Sequence, residues 1–227
     1  EDYALKWTEY DPAKANDMLD ALGLDKRDED GIRLLPDGRP MNIIVETAGE
    51  DTEQTDVLEL VHDGWAEVGI KLFTKPSQRE VFRNRIFSGE TLISIWGGFE
   101  NGLPTAGMNP AELAPTSQQS LQWPKWGQFF ETKGQAGEAP DLPKAKELAD
   151  LNGQWLVSTD DATRADIWQQ MLQIHADETF SIGIVSGVMQ PVVASGKLRN
   201  IPAEAVYNWD PGAMFGIYRP DTFYYEK

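Results

Sequence analysis

The residues with the clearest potential for chemistry follow a predicted strand near the middle of the chain. The segment that leaves the carboxyl end of this strand combines glycines, aromatic rings and one carboxylate. Open parallel sheets bind ligands at the carboxyl ends of their strands, and glycine allows a ligand to approach the backbone closely. We therefore expect a ligand-binding loop, whose candidate contacts are Trp96, Gly97, Gly98, Phe99, Glu100 and Asn101.

A second aromatic group lies further along the chain. Trp123 and Trp126 flank Pro124 and Lys125, and their rings could add an aromatic platform to the same cleft. The alternative for all of these rings is burial in the core, because aromatic side chains bury a large apolar area on folding. For the two tryptophans of this second group, core packing is the favoured interpretation.

Motifs of known catalytic chemistry are absent from the sequence. The string from Gly183 to Gly187 lacks the spacing of a nucleophile elbow, and Gly97-Gly98 lacks the third glycine and the lysine of a phosphate loop. The chain has no cysteine, which excludes disulfides, cysteine-ligated zinc and thiol catalysis. We predict no catalytic residue, no metal site and no cofactor.

The remaining polar groups have plainer interpretations. His62 and His175 lie in separate predicted helices, which favours ordinary helix residues over zinc ligands. Residues 28–37 match part of a calcium loop, but Lys26 stands at the first ligand position, and turn formation explains the aspartates better. The pair Asp160-Asp161 is expected to cap a helix rather than to act as a catalytic acid and base.

Composition and charge narrow the class of protein. The 227 residues include 37 Asp plus Glu and 20 Lys plus Arg, a net charge of −17, which opposes binding to nucleic acid or anionic membranes. Hydrophobic residues make up 41% of the chain, enough for a packed core. No apolar run approaches the ~20 residues of a membrane span. The start at Glu1 resembles no targeting peptide, so we expect either a cytoplasmic protein or a piece whose signal lies elsewhere.

The first predicted element is a helix that begins after Asp11-Pro12, an N-cap followed by proline at the first helical position. Gly23 is expected to end it in a left-handed cap. Turn signals in residues 25–40 then predict a hairpin or an extended loop. The apolar face of the helix is predicted to comprise Ala15, Met18, Leu19 and Leu22.

Strand and helix signals alternate regularly from Met41 to Trp96. Strands are predicted at 41–46, 70–73 and 91–96, with one helix over 51–68 and another capped by Ser77. This alternation is typical of two crossover units and a mostly parallel sheet. The apolar face of the first of these helices is predicted to comprise Val57, Val61, Trp65 and Val68.

Beyond Trp96 the regular pattern stops until residue 143. Helices are then predicted over 144–156 and from Asp160 or Asp161 to 177, followed by strand-like runs at 180–185 and 189–193. An aromatic tail covers residues 207–225. The apolar face of the second helix is predicted to comprise Ala165, Trp168, Met171, Leu172 and His175.

The amino-terminal helix carries a family resemblance. The string from Tyr10 to Gly23 resembles the "YDPxKAxxLLxxAG" element of the family 5 extracellular solute-binding proteins, receptors of ABC importers. Residues 38–41 are similar to the "G(K/R)P" of that family and residues 65–70 to its turn from helix to strand. Trp96-Gly97-Gly98 resembles its strand end before the ligand loop.

This resemblance implies an α/β fold, a lobe like those of type II periplasmic binding proteins, with a mostly parallel or mixed sheet flanked by helices. Residues 1–205 would form the carboxyl-terminal ligand-binding lobe. Residues 206–227 would be a return segment that packs on an amino-terminal lobe of the same protein. The implied location is periplasmic, with a signal sequence upstream, and the implied partners are a small solute and an ABC permease in the membrane.

The resemblance leaves the solute open. Peptide-binding members place an aspartate in this loop to pair with the amino terminus of the ligand, and here the nearest carboxylate is Glu100, with Phe99 as an extra residue. The peptide assignment is favoured, while the tryptophans and amides would also suit oligosaccharides or opines, and a nickel complex stays open. The rival class is a glycosidase-like hydrolase, although no second carboxylate is placed beside Glu100.

Overall fold

The structure, a computed structural model, describes residues 2–50, 52–98, 107–184, 191–204 and 219–226. The chain divides into two compact units. Unit 1 comprises Glu1–Trp96 and Pro115–Pro143, and unit 2 comprises Gly97–Ala114 and Lys144–Lys227. In the described part of the chain, no helix is long and apolar enough to cross a membrane.

Unit 1 contains a β-α-β-α-β segment preceded by a helix and followed by a shorter one. Its elements are α1 (Pro12–Ala21), β1 (Asn42–Thr47), α2 (Glu53–Glu67), β2 (Lys71–Pro76), α3 (Arg79–Ser88), β3 (Ile93–Ser94) and α4 (Pro124–Glu131).

The three strands of unit 1 form one parallel sheet in the order β2-β1-β3. Asn42 to Thr47 pair with Lys71 to Pro76, and Val45 pairs with Ile93. The prediction of a mostly parallel sheet built from two crossover units is confirmed. The third strand is shorter than predicted, with two residues in the ladder.

Helices cover both faces of this sheet. Val45 and Leu72 pack with Leu58 of α2 on one face, together with partly buried Val61 and Trp65. The predicted apolar face of α2 therefore packs on the sheet, but the prediction omitted Leu58, the most buried residue of this helix. On the other face, Ala48 after β1 packs with Phe82 and Ile86 of α3. Since side chains alternate along a strand, β1 serves both faces in turn.

The loop between α1 and β1 follows the predicted turns. Asp28 accepts hydrogen bonds at Oδ1 from the backbone N–H groups of Asp30 and Ile32, so turn formation accounts for this carboxylate. Isolated antiparallel bridges join Arg27 to Arg33 and Leu34 to Pro40, which confirms a hairpin-like segment.

Arg33 is the central contact of this amino-terminal region. Its side chain is 0% exposed, and all five of its N–H groups find acceptors. Nε donates to the Val68 carbonyl at 2.7 Å, and Nη1 donates to Asp20 Oδ1 and to the Leu24 carbonyl. Nη2 donates to the backbone and side-chain oxygens of Asn16. One guanidinium thus joins α1, the following loop and the end of α2.

The contacts of Arg33 explain why the predicted apolar face of α1 is wrong as a core face. No residue of α1 is buried, and Met18 and Leu22 are exposed. The helix is instead attached through Asn16 and Asp20, polar residues that bind the guanidinium. Its ends follow the prediction, because Asp11 caps the Lys14 N–H and Gly23 has a φ of 81°.

Residues 115–143 contain the helix α4, which the sequence analysis missed. Its eight residues begin at Pro124 and contact α3. At Gly127 an added Cβ would overlap the Ser117 carbonyl oxygen, so the helix backbone and the preceding loop meet where no larger residue fits. Ser117 also donates to Glu131 at 2.7 Å, which closes this loop over the helix.

Unit 2 is built on two long helices, α5 (Pro143–Val157) and α6 (Asp161–Glu178). Asp160 caps α6 by accepting from the Thr163 N–H at 2.8 Å. Hydrogen bonds from the side chain and the backbone of Thr163 hold the pKa of Asp160 below its usual value. The helix prediction is confirmed, but its buried face is rotated by one position. Buried α6 residues are Ile167, Trp168, Met171 and Ile174, whereas Ala165, Leu172 and His175 are half-buried.

The strand-like runs predicted after α6 are wrong where they can be compared. Residues 180–184 and 191–193 form no strand, and Ile182, Ile184 and Val193 are exposed. Residues 185 and 189–190 lie outside the described part. A two-stranded antiparallel ladder pairs β4 (Leu198–Arg199) with β5 (Tyr224–Tyr225) instead.

The buried guanidinium supports a test of stability. We expect Arg33→Lys to lower the free energy of unfolding by about 3 kcal/mol, because an ammonium cannot reach the acceptors on four residues in three segments and leaves buried oxygens unpaired. Urea denaturation of the full chain measures this loss. Arg27→Lys is the matched control, since Arg27 also binds Asn16 Oδ1 but is exposed. Equal losses in the two variants would contradict the central role of Arg33.

Candidate functional site

Three loops meet at the carboxyl edge of the parallel sheet, one after each strand. Residues 48–50 follow β1, Ser77 and Gln78 follow β2, and Ile95 and Trp96 follow β3. Ser77 donates its backbone N–H to the Thr47 carbonyl at 3.1 Å. Gly49 has a φ of 62°, and an added Cβ would lie 3.2 Å from the Ser77 oxygen. The first two loops are therefore in direct contact, and they line a shallow open depression.

Arg79, the first residue of α3, connects all three loops. Its Nη2 donates to Glu50 Oε2 at 2.5 Å, and its guanidinium carbon lies 5.2 Å from the centroid of the Trp96 ring. The Arg79 and Glu50 side chains are 53% and 46% exposed. The hydrogen bond that Arg79 donates to Glu50 raises the pKa of Arg79, which favours its charged form. We call Glu50, Arg79 and Trp96 the strand-end cluster.

Trp96 also contacts the core below the cluster. Its ring stacks on Phe82 with centroids 5.7 Å apart and planes 25° apart, and the residue is half-buried. The hydrophobic core next to this ring contains Ala48, and partly buried Leu121 packs against the same core. Packing against the core fixes the Trp96 ring, and the Arg79 guanidinium lies over this ring.

The position of α3, and with it Arg79, depends on a salt bridge under the sheet edge. Glu46 of β1 has a side chain 4% exposed and binds Arg85 through two bonds of 2.8 and 2.9 Å. Lys75 lies 3.6 Å from the same carboxylate. The bonds from Arg85 hold the pKa of Glu46 below its ordinary value, against the opposing effect of burial. A bidentate pair of this kind fixes direction as well as distance.

The predicted binding residues lie in several places. Gly97 and Gly98 are exposed, and an added Cβ would meet nothing within 4 Å at either. Phe99, Glu100 and Asn101 lie outside the described residues. Trp123 and Trp126 stand at the start of α4 with ring centroids 6.2 Å apart. Trp123 is 6% exposed, whereas Trp126 is only partly buried.

Unit 2 fastens the segment that follows the predicted binding loop. Trp168 Nε1 donates to the Met108 carbonyl at 3.0 Å, and His175 Nε2 lies 2.8 Å from the Leu113 carbonyl. Because a carbonyl only accepts, His175 carries its proton on Nε2. Burial lowers the pKa of His175, which keeps the ring neutral at pH 7. His175 is half-buried in α6 and His62 lies on the surface of α2, so both lie in separate helices as predicted.

Sequence reasoning missed Glu50 and Arg79. Their signal was positional, since each follows a predicted strand of the same parallel sheet, and loops after parallel strands share one edge. Among the residues that the structure describes, no group of three or more His, Cys, Asp or Glu side chains could hold a metal ion.

Comparison with known proteins assigns a class to this fold. The sequence model of the bacterial extracellular solute-binding proteins, family 5 Middle, matches residues 1–112. No curated protein sequence matches the chain. Over these residues the chain is similar to the family 5 solute-binding proteins, which confirms the predicted resemblance.

Solved structures show the same fold. The oligopeptide-binding protein OppA matches with a TM-score of 0.75 at 24% identity, over 99% of this chain and 37% of that protein. MelB of Agrobacterium fabrum C58, a periplasmic binding protein in complex with stachyose, matches with a TM-score of 0.62 at 20% identity, over 76% and 25%. NikA of Brucella suis, in complex with Fe(III)-EDTA, gives 0.53 at 23% identity, over 75% and 31%.

These matches confirm the α/β fold of a periplasmic binding protein, with a small parallel sheet between helices. The chain spans 25% to 37% of the length of the three proteins.

The salt bridge under the site generates a prediction with a pH dependence. Replacing Glu46 by Gln should lower the free energy of unfolding by about 2 kcal/mol at pH 7, because Arg85 loses its charged acceptor on the buried Glu46 side chain. A lowered folded-state pKa means that this contribution is complete above the ordinary glutamate pKa of about 4.3 and is lost as the pH falls through the folded value. Urea denaturation from pH 7 to pH 3 should show wild type and variant converging.

Glu90→Gln is the matched control for this experiment. Glu90 binds the same Arg85 at 2.7 Å, but its side chain is largely exposed. The control should change stability little, since exposed ion pairs contribute little. A gap between wild type and Glu46→Gln that stays constant with pH would contradict the assignment.

Proposed function

We propose that this chain is one lobe of the substrate-binding component of an ABC importer, and that it has no chemistry of its own. The observation that carries this proposal is the match of residues 1–112 to the family 5 model, joined to a cluster of exposed charge and an aromatic ring at the carboxyl edge of the sheet. Ligands of open α/β sheets bind at this edge.

The favoured solute is peptide-like. Glu100 would pair with the amino terminus of the ligand, and Trp96 and Phe99 would form the walls of its pocket. Backbone groups of Gly97, Gly98 and Asn101 would bond the ligand. Trp123 and Trp126 would add a platform. The match to OppA, an oligopeptide-binding protein, supports this choice.

The mechanism would be hinge closure. A solute that touches two lobes binds the closed form more tightly, so it shifts the equilibrium towards that form. The closed form would dock on the permease. This chain would supply the carboxyl-terminal lobe as residues 1–205, and residues 206–227 would pack on an amino-terminal lobe. The protein would act in the periplasm, in line with the extracellular family.

An oligosaccharide is the second candidate solute, with opine-like solutes in the same group. The structural matches include MelB in complex with stachyose and an oligopeptide-type protein of Thermotoga maritima with bound mannohexaose. The tryptophan, asparagine and glutamine side chains that follow the third strand in the sequence would suit stacking on sugar rings and hydrogen bonds to hydroxyls, which supports this alternative. A glycosidase would need a second carboxylate at the site, within about 5 to 9.5 Å of the first.

A thermal-shift screen tests the proposal on the complete protein that carries this chain. Peptides, oligosaccharides, opines and nickel chelates are compared. A bound solute stabilises by about 2.7 kcal/mol at roughly 100 times its Kd and raises the melting temperature. A rise with peptides that disappears when their amino termini are blocked would support the peptide proposal. A rise with sugars alone would replace it, and no rise with any solute would overturn the receptor function.

The anchor role of Glu100 is tested by substitution in the same protein. We expect Glu100→Ala and Glu100→Gln to weaken peptide binding by tenfold or more, because each leaves the ligand ammonium without a charged partner. Isothermal titration calorimetry measures the affinity. Unchanged affinity in both variants would remove Glu100 from the site.

The proposed return segment is tested by hydrogen exchange. On the 227-residue chain alone, amides of residues 206–227 should exchange faster than those of β1, because their packing partner would be missing. In the described part of this segment, Tyr224 and Tyr225 are exposed. Uniform protection of the segment in the isolated chain would contradict this assignment.

A further inference from the structure

We propose that Arg79 binds a carboxylate group of the solute, and that Glu50 occupies this position while the site is empty. This inference rests on the proposed solute-binding function. It adds a second charged contact at the carboxyl edge, of opposite sign to Glu100. It also defines the ligand chemically as one that carries a carboxylate.

The position of Arg79 is the first argument. Its guanidinium bonds to Glu50 in the loop after β1 and lies over Trp96 in the loop after β3, while Arg79 itself follows β2. A ligand at this sheet edge would therefore meet this cation. The half-buried Trp96 ring stacks on Phe82, so the surface under the guanidinium is fixed by the core.

The second argument is the number of donors that stay available. A guanidinium has five N–H groups in a planar fork that suits the two oxygens of a carboxylate. Within the described residues, the one hydrogen bond recorded for the Arg79 side chain runs from Nη2 to Glu50. With the side chain 53% exposed, an incoming carboxylate can reach the donors that Glu50 does not use.

The other cations of unit 1 near this edge are committed to structural partners. Arg85 binds the buried Glu46 and also Glu90, and Lys75 lies beside the same Glu46. Arg83, one turn after Arg79, donates to the neutral Gln119 and lies over Phe87. Arg79 differs from them because its hydrogen-bond partner among the described residues is an exposed carboxylate and it has no bond to a buried one.

The exchange of carboxylates is the third argument. Ion pairs between exposed side chains contribute little to stability, so Glu50 can leave at small cost. The new carboxylate would form the same charge-assisted bonds, and the contact of Arg79 with Trp96 can persist throughout. In a chain with a net charge of −17, an anionic solute needs such a local cation.

The test uses the 227-residue chain and the arginine Nε–H signals in nitrogen–proton NMR spectra. Triglycine is compared with triglycinamide, and glucuronate with glucose, so that each pair differs by a carboxylate. The variants are Glu50→Gln and Arg79→Gln, with Arg83→Gln as the matched control on the same helix. Thermal melts confirm that each variant is folded. The signal that Arg79→Gln removes identifies Arg79.

We expect triglycine or glucuronate, but not its neutral counterpart, to shift the Arg79 signal. Glu50→Gln should tighten this binding about two- to fivefold, because the competing carboxylate is gone. Arg79→Gln should abolish the preference for the charged probe, and Arg83→Gln should retain it. Preference for triglycine points to a peptide terminus as the source of the carboxylate, and preference for glucuronate points to an acidic sugar.

The inference is overturned if charged and neutral probes act alike in Glu50→Gln, or if Arg83→Gln loses the preference as fully as Arg79→Gln does. These results are separate from failure of the proposed function. Neutral sugars or amidated peptides that stabilise the complete protein would retain the receptor while removing the carboxylate contact. A complete protein that no solute stabilises would remove the receptor itself.

Discussion

Parallel pairing of three strands is the constraint on which the rest of unit 1 depends. Parallel strands need a crossover between them, so β1 to β3 require α2 and α3 on the sheet faces, and their following loops share one edge. Glu50, Arg79 and Trp96 are far apart in sequence, yet this topology makes them neighbours. The strand order therefore brings these three side chains together, and their chemistry can act only because of it.

Arg85 and Arg79 of α3 have different roles at this edge. Arg85 is paired with a buried carboxylate, where removal of one partner is costly, and it holds the helix in place. Arg79, less than two turns earlier, has an exposed partner and an aromatic support. Both arginines pair with a glutamate. The burial of the glutamate distinguishes Arg85, which has a structural role, from Arg79, which is available to a ligand.

Local sequence signals predicted the helices and strands that depend on interactions between residues close in sequence. The cap at Asp11, the left-handed Gly23 and the alternation from β1 to β3 were readable, because periodicity and capping act over a few residues. Helix α4 was missed, since eight residues give little periodicity. The apolar runs at 180–184 and 191–193 suggested strands, but a strand needs a partner that its own sequence does not specify. Arg79 and Arg33 escaped for a similar reason, because their acceptors come from distant segments.

The contacts of Arg33 also bear on the order in which the chain can fold during synthesis. Every acceptor of its guanidinium lies between Asn16 and Val68, so the complete set exists once the ribosome has released those residues. None of these acceptors lies in α3, β3 or unit 2. The growing chain can therefore secure α1 against the end of α2 while the third strand of the sheet is still being made.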